Sequence, residues 1–325
     1  MNQKTLKKLA AAFACAAAVA AAIGAVTALG SSASPPDPLF ARVSMNGTLR
    51  AGSPGVTVAN VGAGQYEVTF PVNVSGCAYL STTTKFFTQA TQSFTAGGHN
   101  SVNGVFVETK NQGGGLQSAP FNLDVICGEV GTQFAVVGYD GGLVRSSGAT
   151  LTQLGTGRYQ VTFPANVSGC AYLATVGDPG NGLALNPAGA YTARGSNGNS
   201  VLVETKNPGG GLQGGIPFHL GVVCPDTGNG QVAVVRSDGV IIRGSALTST
   251  YRADTGRYVL VTNRSLVRCA TVATRGSTQA SVPFNPATVE VTGGPAFNTV
   301  GIEVRGLLFF GGDRTNEAFH MVSVC

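Results

Sequence analysis

Tryptophan is absent from this 325-residue chain, histidine occurs three times, and only 11% of the residues are charged. Sugar-binding β modules lean on exposed aromatic rings, Trp above all, so the missing Trp counts against a stacking lectin site. Few titratable side chains leave little material for acid–base or metal chemistry. Neither G-x-S-x-G nor H-E-x-x-H occurs, and no two cysteines stand at C-x-x-C spacing. Those absences remove the nucleophile elbow, the zincin pair and the zinc ribbon. Beyond the first thirty residues no apolar run is long enough for a helical membrane span, and no segment has helical periodicity.

Glycine is abundant, at 47 residues, and 43% of the chain is hydrophobic. Glycine at about twice its usual ~7%, with no Gly-X-Y period, excludes collagen. The ordinary apolar fraction argues against disorder. The formal charge of +5 overstates the basicity, because Lys4, Lys7 and Lys8 precede an apolar run from Leu9 to Leu29. That layout predicts a secretory signal over 1–33, cut after Gly30 or Ala33, with an uncleaved anchor as the alternative. Removal leaves 17 basic against 15 acidic residues, a net +2 with no Lys/Arg cluster. Nucleic acid is therefore excluded as a partner, and the expected place is secreted or at the cell surface.

Internal repetition organises the rest. TFPVNVSGCAYL (69–80) returns as TFPANVSGCAYL (162–173), and VETKNQGGGLQ (107–117) as VETKNPGGGLQ (203–213). A more diverged third copy carries TGRYVLVTNRSLVRCATVAT (255–274), and the three close on FNLDVIC, FHLGVVC and FHMVSVC. The units run 38–127, 132–224 and 230–325, each the size of a small domain. Asn46-Gly47, Asp140-Gly141 and Asp238-Gly239 mark two-residue hairpins. Alternation such as Tyr66, Val68, Phe70 against Glu67 and Thr69 marks strands, about seven or eight per copy. The fold class is all-β: three tandem antiparallel β-sandwich modules, Ig-like or jelly-roll-like. Short linkers keep the modules adjacent, as a rod or around a pseudo-threefold axis.

Cys15 belongs to the signal, and the other six cysteines fall two per copy. Repetition selects the pairs Cys77–Cys127, Cys170–Cys224 and Cys269–Cys325 from the fifteen connectivities six cysteines allow.

Candidates for chemistry are sparse. His219 and His320 share a strand position that holds Asn122 in the first copy. An outward polar position is expected there, with a shared binding surface or metal pair as the functional alternative. Glu108, Glu204 and Glu303 stand two residues before Lys110, Lys206 and Arg305, the pattern of a solvated strand face or of one ligand contact per module. His219, His320, Asn122, Glu108, Glu204 and Glu303 form the candidate binding surface. His99 lies in a Gly-rich loop, and the GGG runs at 113–115 and 209–211 lack a phosphate loop's Lys and helix. Five Tyr hold repeated framework positions, leaving Tyr139, Tyr191 and Tyr251 to line a site. No catalytic residue, metal ligand or cofactor is assigned.

The run G-x-G/T-G-x-Y-x-V-x-F … V-S-G-C-A-Y-L-A-T … P-F-H-L-x-V-V-C is carried by Gly155 to Thr175 and Pro217 to Cys224. It resembles a disulfide-containing β-repeat of uncharacterised secreted proteins from high-GC, actinobacteria-like bacteria. The resemblance implies export and modular β structure and carries no activity. The third copy departs from it, with Asn263 read in place of Phe163 and Arg268 in place of Gly169.

The sequence thus predicts a non-enzymatic structural or binding protein outside the cell, its partner an extracellular or surface protein or a polysaccharide. A carbohydrate- or wall-binding array is the alternative, and a hydrolase with its site in the third repeat, at His320, is the third.

Overall fold

The computed structural model describes residues 38–85, 90–182, 187–225, 230–245, 247–282, 286–306 and 312–325. The signal segment 1–33 lies outside them. Among the described residues all regular structure is β, in three modules of eight strands. The first module comprises β1 (Leu39–Val43), β2 (Leu49–Gly52), β3 (Thr57–Gly62), β4 (Gln65–Thr69), β5 (Ala78–Thr83), β6 (Thr91–Gly97), β7 (Gly104–Asn111) and β8 (Phe121–Ile126). The second comprises β9 (Thr132–Val137), β10 (Leu143–Ser146), β11 (Thr150–Gly155), β12 (Arg158–Thr162), β13 (Ala171–Val176), β14 (Gly189–Arg194), β15 (Ser200–Lys206) and β16 (Phe218–Val223). The third comprises β17 (Gln231–Val235), β18 (Ile241–Gly244), β19 (Leu247–Asp254), β20 (Arg257–Thr262), β21 (Ala270–Arg275), β22 (Ala287–Gly293), β23 (Thr299–Gly306) and β24 (Phe319–Val324).

Each module is a sandwich of two four-stranded antiparallel sheets, ordered β2-β1-β8-β5 and β3-β4-β7-β6 in the first and likewise in the others. Eight strands match a jelly roll's number rather than the seven of a constant-type Ig module. The opening hairpins turn on Gly47, Gly141 and Gly239 at φ of 83, 76 and 91°, a region open to Gly at no steric cost. Alternate residues such as Tyr66, Val68, Phe121 and Leu123 fill the sandwich. Disulfides Cys77–Cys127, Cys170–Cys224 and Cys269–Cys325 close the modules one by one. In the third copy the ladder sets Thr262, not Asn263, at the place of Phe163. The two amides bond equivalent carbonyls, Asn199 O and Asn298 O.

The other face of each β1-type sheet also contributes apolar residues to a buried cluster, and this decides the assembly. Phe40 and Leu80, Phe134 and Leu173, and Val232 and Val272 meet in one core shared by all three modules. The modules therefore close into a ring about a pseudo-threefold axis instead of a rod. A threonine clasp repeats around it. Thr175 Oγ1 accepts from Ser81 N–H (2.9 Å), Thr274 Oγ1 from Ala174 N–H (2.9 Å) and Thr82 Oγ1 from Ala273 N–H (2.8 Å). Each hydroxyl donates back to the carbonyl of the same residue. The clasps satisfy the outer edges of β5, β13 and β21 with side chains, which blocks further strand pairing there.

Candidate functional site: the junction of modules one and three

Two of the three junctions are built alike. On module two, Arg145 (β10), Val136 (β9) and His219 (β16) stand side by side across the sheet. His219 Nδ1 accepts the edge amide of Tyr79 at 2.9 Å, and Nε2 lies 3.2 Å from Asp178 O. Its ring stacks 4.9 Å from the Tyr79 ring, and the Arg145 guanidinium lies 5.4 Å over the same ring. On module three, Arg243, Val234 and His320 repeat the row. His320 Nδ1 accepts from Tyr172 N–H at 2.8 Å, its Nε2 faces Ser277 O at 3.2 Å, and Arg243 lies 5.5 Å over Tyr172. Both imidazoles are neutral, with Nδ1 accepting and Nε2–H donating. Burial, and then the neighbouring Arg charge, push each down to about 3.

These histidines are therefore not outward polar residues. The sheet face that would be wet in an isolated module is covered by the next module, and both side chains are fully buried. The chain turns tightly beside them. A Cβ on Gly177 would come 2.6 Å from His219 Cδ2, and one on Gly276 2.8 Å from His320 Cδ2, so only Gly leaves room for the ring.

The third junction departs at every one of these positions. The row on module one reads Ala51, Arg42, Asn122; the ring it would meet is replaced by Thr271, and the glycine by Thr84. Asn122 is too short to bridge to β21. Its Nδ2 donates to Thr84 Oγ1 at 3.3 Å, while its buried Oδ1 has no partner among the described residues. The edge amide of Thr271, equivalent to those held by the histidines, meets no side-chain acceptor among the described residues.

A cavity of about 340 Å³ opens in consequence, within the range of small-molecule sites. Val43, Pro120, Leu266, Val291 and Val300 give it apolar walls; Arg42 and Arg50 line it, and among the described residues no carboxylate does. Arg42 is half-buried and Arg50 exposed. Neither forms an ion pair among the described residues. Burial, and then the nearby Arg50 charge, lower the Arg42 guanidinium from its ordinary value.

The remaining predicted residues lie elsewhere. Glu108, Glu204 and Glu303 are buried, so they form no solvated face. The GGG hairpins fold back over β7 and β15, pairing Leu116 with Lys110 and Leu212 with Lys206. Beneath them Glu108 pairs with Lys110 (2.9 Å) and Glu204 with Lys206 (3.1 Å). Glu303 gathers Arg305, Arg257 and, from module one, Lys85 at 2.6 Å, which ties the third junction together. His99 packs 4.0 Å from Phe106. Tyr191 is buried, whereas Tyr139 and Tyr251 are each 49% exposed in different modules.

Of the candidate surface, only Asn122 reaches the cavity. Arg42, Arg50, Thr84 and Thr271 were missed, although the positions where one copy disagrees with the other two pointed to most of them. Comparison of the chain with protein-family models, curated proteins and solved structures finds no match.

Proposed function

We propose that the protein is a non-enzymatic binding protein acting outside the cytoplasm, and that its site is the cleft between modules one and three. The observation that carries this is the coordinated change at one junction of three. Row, ring and glycine all differ there, and together they leave a cavity where the other junctions hold a His–Tyr–Arg stack. A merely decayed junction would be expected to collapse, whereas this one keeps its threonine clasp and gains the Lys85–Glu303 pair. Three disulfides suit an oxidising compartment, and among the described residues no helix is long and apolar enough to cross a membrane. A hydrolase built on His320 lacks its base, since both ring nitrogens are engaged in a buried junction.

The test compares the native protein with a variant in which three positions of the third junction carry the residues of the other two: Asn122→His, Thr84→Gly and Thr271→Tyr. Thermal-shift screening against glycans, wall fragments and small organic molecules should find ligands that stabilise the native protein and not the filled variant. A panel in which no compound distinguishes the two would dismiss the cleft as a site.

A further inference from the structure

Resting on that assignment of the cleft, we infer that its ligand is a hydroxycarboxylate with an apolar carbon body. Three features of the cavity converge on this class. The first is charge. Two guanidinium groups line it, and among the described residues no acid lines it and neither Arg forms an ion pair. A guanidinium fork matches a carboxylate with paired N–H···O bonds, and a low-dielectric wall strengthens the attraction to a bound anion.

The second is a pair of unanswered polar groups on facing modules. The Thr271 amide is a donor whose counterparts, Tyr79 N–H and Tyr172 N–H, are each held by a histidine Nδ1. The Asn122 Oδ1 is a buried acceptor without a partner among the described residues, on a residue only 1% exposed. A ligand hydroxyl has both capacities, accepting from an N–H such as the first and donating to a carbonyl oxygen such as the second. Leaving both unmet is costly in a buried setting, so a ligand that supplies the hydroxyl is favoured over one that lacks it.

The third is the apolar part of the lining. Leu266, Val291 and Val300, with Val43 and Pro120, present hydrocarbon. A bare inorganic anion would leave that surface wet, whereas an alkyl or aryl body covers it.

The inference is tested by calorimetric titration with four matched probes: 3-hydroxydecanoate, decanoate, 1-decanol and inorganic phosphate. Saturable binding of 3-hydroxydecanoate is expected, at least tenfold tighter than decanoate and tighter still than decanol or phosphate. Arg42→Val, which installs the residue of the other two modules, should weaken it at least tenfold and reduce the preference for acid over alcohol. The filled variant described above should abolish it while keeping the far-UV spectrum and thermal transition of a folded protein.

Should Arg42→Val fail to fold, Arg50→Gln, at an exposed position, provides the same comparison. Preference for decanol or phosphate, or equal binding of hydroxylated and plain acid, overturns the ligand class. Where such binding still vanishes in the filled variant, the cleft remains the site. Binding of 3-hydroxydecanoate that survives in the filled variant places the ligand elsewhere and overturns the inference. Absence of binding by all four probes also overturns it, and the broader screen then decides separately whether the cleft binds anything.

Discussion

Two buried histidines, each locked between modules, govern how this fold answers to single substitutions and to acid. His219→Ala removes the acceptor of the Tyr79 amide and leaves a void beside the ring. An unmet buried donor costs about 1–3 kcal/mol, and the cavity adds to it, so a loss of about 3 kcal/mol or more is expected in urea unfolding. His219→Gln, which keeps an acceptor, should lose less. The same groups predict the pH profile. His219 and His320 stay neutral in the fold down to about 3, against 6.5 as a free side chain. The unfolded chain therefore binds more protons once pH falls below 6.5, and stability is lost from there downward. Two buried carboxyls act in the opposite sense. Burial, and then Glu129, raise Asp124 from 3.8 to about 8, and burial raises Glu290 from 4.5 to about 7. Their contribution is complete below the unfolded values and is lost as pH rises through the folded ones. Between about 4.5 and 6.5 the two effects cancel in proton count, since each state holds two protons on these four groups. A plateau of maximal thermal stability is expected there, falling on both sides; a midpoint that climbs steadily from pH 5 to 8 would contradict the buried carboxyls.

At the level of elements, the disulfides and edge strands do most to fix each module. Loops of 50, 54 and 56 residues are closed by the three bridges. The chain-entropy account gives each about 4 kcal/mol. Cys269→Ser with Cys325→Ser is expected to lower unfolding stability by roughly that amount, and mass analysis of the oxidised native protein should find no free thiol among the six. The pairing was legible because repetition reduces fifteen possibilities to one. Strand positions were legible too, since Tyr66, Val68 and Phe70 alternate with polar residues as a half-buried strand requires. The burial of Glu108 and His219 was not legible. A strand face that alternates apolar and polar reads as half-exposed, and only the neighbouring hairpin or module covers its polar side. Asn122 stands out in the sequence as the odd member of its position, but Thr271 and Arg42 gain meaning only when the facing strand is known.

For the whole molecule, the shared axial core predicts that the modules do not stand alone. Residues 132–224 by themselves would expose Phe134, Val136, Leu173 and Val223, all buried here, so that fragment should aggregate or remain loosely packed. Calorimetry of the full chain should show one cooperative transition, and three separable ones would contradict the common core. X-ray scattering of residues 38–325 should return a compact body with a radius of gyration of roughly 19 Å, well below that of three modules in a line. The sequence left ring and rod undecided because its axial residues, Phe40, Leu80 and Ile126, read as ordinary strand positions. The threonine clasp has a further consequence. It runs head to tail, each module using a different surface on its two neighbours, which is the geometry by which identical subunits form a closed trimer. A trimer of separate identical chains must repeat any change at all three interfaces, so opening one would open all. Joining the three copies covalently removes that constraint: mutations can accumulate at a single seam while two unaltered seams keep the body shut. The chain is thus arranged so that sequence drift in one place yields a new cleft without dissolving the assembly that holds it.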